Sequence, residues 1–152
     1  MRPLPLAAAA AVALALTGCA SAVTLPPAEE ASDPGCAGVI VSLAEVIGDQ
    51  SLPEPLERRD TTGQGTAAFG TPSAVTLRCG MPEPAPSTAR CITIGEVDWL
   101  EVAAEESVWT FVSYGRSPAT EVVIDTDAVS AVTALEGVSS AVARTERTGA
   151  CS

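Results

Sequence analysis

Ala74-Val75-Thr76-Leu77-Arg78-Cys79, Cys91-Ile92-Thr93-Ile94-Gly95-Glu96-Val97-Asp98-Trp99-Leu100 and Val108-Trp109-Thr110-Phe111-Val112-Ser113-Tyr114 are short runs of β-branched and aromatic residues. Gly and Pro stand at their breaks, the chemistry of strands and turns. In the first run Val75, Leu77 and Cys79 share one face by period-2 alternation, leaving Thr76 and Arg78 on the other. Taken as one strand, Cys91 to Leu100 places Ile92, Ile94, Glu96, Asp98 and Leu100 together, opposite Val97 and Trp99. Val108 to Tyr114 is apolar on both parities, as a strand covered on both faces is. Gly115-Arg116-Ser117-Pro118 then turns the chain into a fourth strand, Ala119 to Ile124.

Helices are expected on either side of these strands. Asp33-Pro34 is an N-cap followed by a first-turn proline, and Val39, Ile40, Leu43, Val46 and Ile47 repeat with helical spacing up to Gly48. Residues 49–65, with Pro53 and Pro55, read as loop, as does Gly80 to Arg90 with Pro82, Pro84 and Pro86. At the other end Asp125-Thr126-Asp127 caps a helix striped by Val129, Val132, Leu135, Val138 and Val142. The expected fold is α+β: an N-terminal helix, a mostly antiparallel four-stranded meander, a C-terminal helix and two disulfides.

The N-terminus reads as an address. Arg2 precedes an apolar run, Leu4 to Leu16, too short to span a bilayer and proportioned like a signal-peptide core. It ends in Leu16-Thr17-Gly18-Cys19, which resembles the bacterial lipobox: cleavage before Cys19, whose sulfur carries a diacylglycerol with palmitate-class chains. The expected organisation is a lipoprotein signal peptide over 1–18, a flexible membrane spacer over 19–32 and one domain over 33–152. The partner this implies is the membrane itself, with the domain on its extracytoplasmic face.

Composition narrows the chemistry. The 152 residues carry 8 basic and 19 acidic side chains, a net charge of −11, with no His and no Lys. That excludes His-based nucleophilic triads, His-containing zinc sites and Ser-Lys dyads. Nucleic acid is not an expected partner of so acidic a chain, and no cofactor is expected. An envelope protein or cell-wall component is.

With Cys19 assigned to lipid, Cys36, Cys79, Cys91 and Cys151 remain, and four cysteines allow three pairings. Cys79 and Cys91 flank the loop between successive strands, so a hairpin would bring them together and leave Cys36 to pair with Cys151. Arg58, Arg59, Arg78 and Arg116 gather around the strand block, as an anion-binding patch or as internal counter-charges; an acid partner such as Glu121 or Asp98 is expected for Arg78 or Arg116. Trp99 is a candidate stacking residue or a core residue. Glu96 and Asp98, two apart on one strand, would share a face as the paired carboxylates of a glycoside hydrolase do. The leading reading is a non-catalytic binding module, and the alternative a small carboxylate-dependent wall enzyme.

Several short motifs in one order resemble a known family. Arg58-Arg59-x-Thr61, Phe69-Gly70-x-Pro72, Leu77-Arg78-Cys79-Gly80, Val97-Asp98-Trp99-Leu100 and Tyr114-Gly115-Arg116-x-Pro118, beside the lipobox, resemble an actinobacterial lipoprotein family, domain of unknown function 3515. The resemblance implies a cell-envelope protein and carries no assigned reaction. Phe69 departs from it where Trp is expected, keeping an apolar ring and losing the N–H donor.

Overall fold

The computed structural model describes residues 21–151. Its elements in chain order are α1 (Pro34–Ser42), β1 (Val46–Ile47), β2 (Leu56–Arg59), β3 (Thr66–Phe69), β4 (Val75–Met81), β5 (Cys91–Ile94), β6 (Val97–Glu105), β7 (Val108–Tyr114), β8 (Arg116–Ser117), β9 (Ala119–Asp125), α2 (Ala131–Val142) and β10 (Glu146–Arg147). Among the described residues eight strands form one sheet in the order β1-β2-β3-β4-β9-β7-β6-β5, and β8 with β10 forms a separate pair. Every strand pairing in the two sheets is antiparallel.

The four-stranded meander is therefore corrected to a larger, sheet-dominated fold, for local reasons. Leu56–Arg59, inside the 49–65 stretch whose prolines and charges made it read as loop, pairs as a strand with Thr66–Phe69. Cys91 to Leu100 is a hairpin and not one strand: Gly95 takes φ 61°, the turn reverses the chain, and Ile94 pairs with Val97. That turn also changes the facial parity. Ile92 sits opposite Trp99 and Ile94 opposite Val97, so all four face the core, while Asp98 and Leu100 take the other face with Thr93 and Cys91.

The helix ends are corrected as well. α1 begins as expected, with Asp33 Oδ1 accepting from Gly35 N at 2.6 Å, but it stops at Ser42, and Val46–Ile47 becomes the edge strand. α2 is capped by Ser130, whose Oγ accepts from Thr133 N at 3.1 Å; Asp125 ends β9 instead, and its carboxylate accepts from Asp127 N. Both helices pack on one face of the sheet. Val39 and Leu43 of the first segment and Leu135, Val138 and Val142 of the second meet Phe69, Val75, Leu77, Trp99, Phe111, Val122 and Ile124 in one core.

Strand order explains the disulfides. Cys36 pairs with Cys79 and Cys91 with Cys151, in place of the expected Cys36–Cys151 and Cys79–Cys91. β9, β7 and β6 lie between β4 and β5, so Cys79 and Cys91 are four strand spacings apart, about 19 Å. They also face opposite sides: Cys79 lies in the core, whereas Cys91 pairs with Leu100 on the far face. The Pro-rich loop carries the chain from mid-sheet to the edge, and β9 fills the space it leaves.

Residues 21–32, expected to be a flexible spacer, are tied to the domain. Val23 bridges to Thr61 in parallel, Val23 N donates to Asp60 O at 2.8 Å, and Thr62 N returns to Val23 O at 3.0 Å. Farther on, Glu30 N donates to Gly80 O at 2.9 Å, and Ala31 is buried. The reason is backbone exposure. The 60–65 loop and the end of β4 present unpaired peptide groups, and this segment satisfies them.

Candidate functional site

The four candidate arginines do not converge. Arg58 and Arg59 are consecutive on β2, so they project to opposite faces of the sheet. Arg58 donates to Ile40 O at 3.0 Å near the end of α1 and lies 3.6 Å from the exposed Glu45 carboxylate. Arg59 donates to Ser21 O at 2.9 Å and to Gly70 O at 3.4 Å. Arg78, directly opposite Glu121 on β9, donates through Nε and Nη2 to Glu121 Oε1 at 2.9 and 2.7 Å. The expected acid partner is thus present at Arg78, in a half-buried cross-strand pair of a kind that contributes roughly 0.2–1 kcal/mol.

Arg116 is different. It is 6% exposed and reaches no carboxylate; its Nη1 donates to Ala143 O at 2.8 Å and Thr145 O at 2.9 Å, and Nη2 to Glu96 O at 2.6 Å. These carbonyls lie just past the end of α2 and in the β5–β6 turn. The guanidinium sits at the negative end of the helix dipole and closes its free acceptors. Burial lowers its pKa from the ordinary value and the nearby charge of Arg147 adds to this, against opposing effects of Glu96 and Asp98. The counter-charge reading holds for Arg78 and, at 3.6 Å, for Arg58, whereas Arg59 and Arg116 hold backbone carbonyls and fit neither expectation.

The carboxylate pair also dissolves. Glu96 is exposed in the hairpin turn, while Asp98 is on β6. Both Asp98 oxygens are occupied: Oδ1 accepts from Thr93 Oγ1 at 2.6 Å and Oδ2 from Cys151 N at 2.9 Å. Asp98 therefore holds the C-terminal tail beside the Cys91–Cys151 bridge. Trp99 is fully buried, and its Nε1 donates to Ser139 Oγ at 3.0 Å, which in turn donates to Leu135 O at 2.7 Å. It is a core residue with a satisfied donor, unavailable for stacking on a ligand. Ser139 carried no signal as its partner because it is one of two adjacent serines on α2.

A concavity lies elsewhere among the described residues. A groove of about 910 Å³ runs between the β1–β2 loop and the β3–β4 turn, lined by Leu52, Pro53, Pro55, Leu56, Pro72 and Ala74 with Glu54, Glu57 and Asp125 at its polar positions. Its prolines were visible in the sequence, but as loop formers only. Among the described residues there is no group of His, Cys, Asp and Glu suited to a metal, and no helix long and apolar enough to cross a membrane. Cys19 and the leader lie outside the described residues.

Fold and site together define a disulfide-stapled antiparallel sheet backed by two helices, with its conspicuous side chains committed to internal contacts. The chain matches the family model described as Protein of unknown function (DUF3515) over residues 3–151, and it belongs to that family. No curated protein and no solved structure matches it.

Proposed function

We propose that this is a lipid-anchored protein of the extracytoplasmic face of the cell membrane, acting as a non-catalytic module that binds an envelope protein or cell-wall component. The anchor reading rests on the leader ending in Leu16-Thr17-Gly18-Cys19. Two disulfides among the described residues fit an oxidising compartment outside the cytoplasm. The observation that carries the choice of module over enzyme is the placement of Asp98. A general acid or nucleophile needs a free carboxylate oxygen facing its substrate, and both Asp98 oxygens are spent on Thr93 and the tail. Glu96, in the turn, then has no partner carboxylate on its strand.

One experiment with two arms tests this. The Cys19→Ala chain should leave the membrane fraction or accumulate as precursor, with the acyl mass lost from the mature protein. An unchanged membrane fraction overturns the anchor. In the second arm the purified, disulfide-intact domain is incubated with isolated cell walls. Co-sedimentation or crosslinking to an envelope protein without release of soluble fragments is expected. Release of saccharide or peptide, abolished by Glu96→Gln, overturns the module.

A further inference from the structure

We infer that residues 21–31 form a fixed strap that holds the β3–β4 turn, Gly70 to Ser73, against the headgroup layer of the bilayer; this rests on Cys19 being the acylated residue. The strap has a direction. At one end Arg59 grips the Ser21 and Gly70 carbonyls with the same guanidinium. At the other, Glu30 N reaches Gly80 O, at the bulge near the far end of β4. β4 spans seven residues, about 20 Å, so Ser21 is held toward the end of the sheet opposite Gly80.

The domain is shaped to receive the strap. A Cβ at Gly63 would collide with Leu25 O and lie 3.1 Å from Pro27 N, and one at Gly80 would collide with Ala31 N and the Glu30 carbonyl carbon. The two glycines leave room for strap backbone where any side chain would displace it.

The fixed strap changes the stand-off from the membrane. A free coil over 20–32 would have an r.m.s. span of roughly 20 Å. With Ser21 held, only Cys19 and Ala20 precede it, and two residues reach at most about 7 Å. The polar layer of one leaflet is itself about 5–7 Å thick. Ser21, Arg59 and the exposed Thr71 and Pro72 therefore lie at headgroup level, while the Pro-rich loop, exposed at Thr88, points away. Attraction plays no part in this, because the neighbouring Glu54, Glu57 and Asp125 would be repelled by anionic lipid; the covalent reach alone sets the orientation. The groove then opens at the lipid surface, which restricts its partners to molecules that reach it there.

The test uses the full acylated chain in its native membrane with a photoreactive benzoylphenylalanine at Thr71 or, separately, at Thr88. Lipid adducts are expected from Thr71 and not from Thr88. Equal labelling, or labelling from Thr88 alone, overturns the strap while the acyl mass on Cys19 still stands; absence of acyl mass overturns the anchor and the inference with it. Gly63→Ala should bring Thr71 labelling down to the Thr88 level. Because that variant perturbs the domain, a second inserts about ten Gly/Ser residues between Ala20 and Ser21, adding roughly 17 Å of coil without touching the fold. Its loss of Thr71 labelling is the expected result, and persistence of labelling refutes the strap.

Discussion

The two disulfides make similar rings yet are expected to differ in worth. Their sequence separations are 43 and 60 residues, for which loop entropy gives about 4.0 kcal/mol to Cys36–Cys79 and about 4.3 kcal/mol to Cys91–Cys151. Entropy alone would make the second bridge the stronger. Burial reverses the order. Cys36 and Cys79 are both 0% exposed between α1 and the sheet, so a Cys36→Ala, Cys79→Ala chain also leaves a cavity beneath Val39 and Leu77. Losing two buried sulfurs costs about 2 kcal/mol more, on the scale of two or three methylenes. Cys151 is only half-buried, and its bridge holds a tail. The Cys36→Ala, Cys79→Ala chain is thus expected to lose about 6 kcal/mol, comparable to the whole stability of a marginal domain. Its counterpart at Cys91 and Cys151 should lose about 4 kcal/mol and keep the core. Urea unfolding of both variants measures the difference. Timed alkylation under mild reductant should release Cys91 and Cys151 first, because thiol exchange requires access to the sulfur. Equal losses, or earlier release of Cys36, would refute the burial argument, and peptide mapping that joins Cys79 to Cys91 would refute the strand order beneath it.

Two further outcomes follow from single side chains. Arg116→Met should destabilise by about 3 kcal/mol, because three carbonyls lose a charged donor, and Arg116→Lys should recover less than half of that since an ammonium cannot fork between α2 and the β5–β6 turn; thermal unfolding checks both. Thr120→Val should stabilise by about 1 kcal/mol, because the buried Thr120 Oγ1 has no partner while its backbone N–H remains bonded to Ser113 Oγ; a higher urea midpoint is the expected reading.

What could be read from the sequence was local. Asp33-Pro34 started a helix, alternation marked Val75 to Cys79, and the apolar run Val108 to Tyr114 proved interior to the sheet, because each signal is carried by neighbouring residues. Strand order is carried by none of them. Nothing near Cys91 says that β9, thirty residues later, will enter between β4 and β7, so the shorter loop suggested the wrong cysteine pairing. The Gly95-Glu96 turn was present as a motif but sat inside an otherwise good alternation, and missing it reversed the face of half the strand.

The arginines show a different boundary. Counting charges anticipated an acid for Arg78, because Glu121 is a side chain and composition records it. It could not anticipate the partners of Arg58, Arg59 or Arg116, which include backbone carbonyls at helix ends, at a turn and on the strap. Such acceptors are created by folding and belong to no residue type. In a chain with 19 acids, those guanidiniums nonetheless go largely to peptide oxygens, because the places that need a long, forked donor are the ends of elements and not the solvated carboxylates. That is why an arginine cluster in the sequence becomes a dispersed set of clamps in the fold, each fixing a different segment: α1, the strap, the sheet centre and α2.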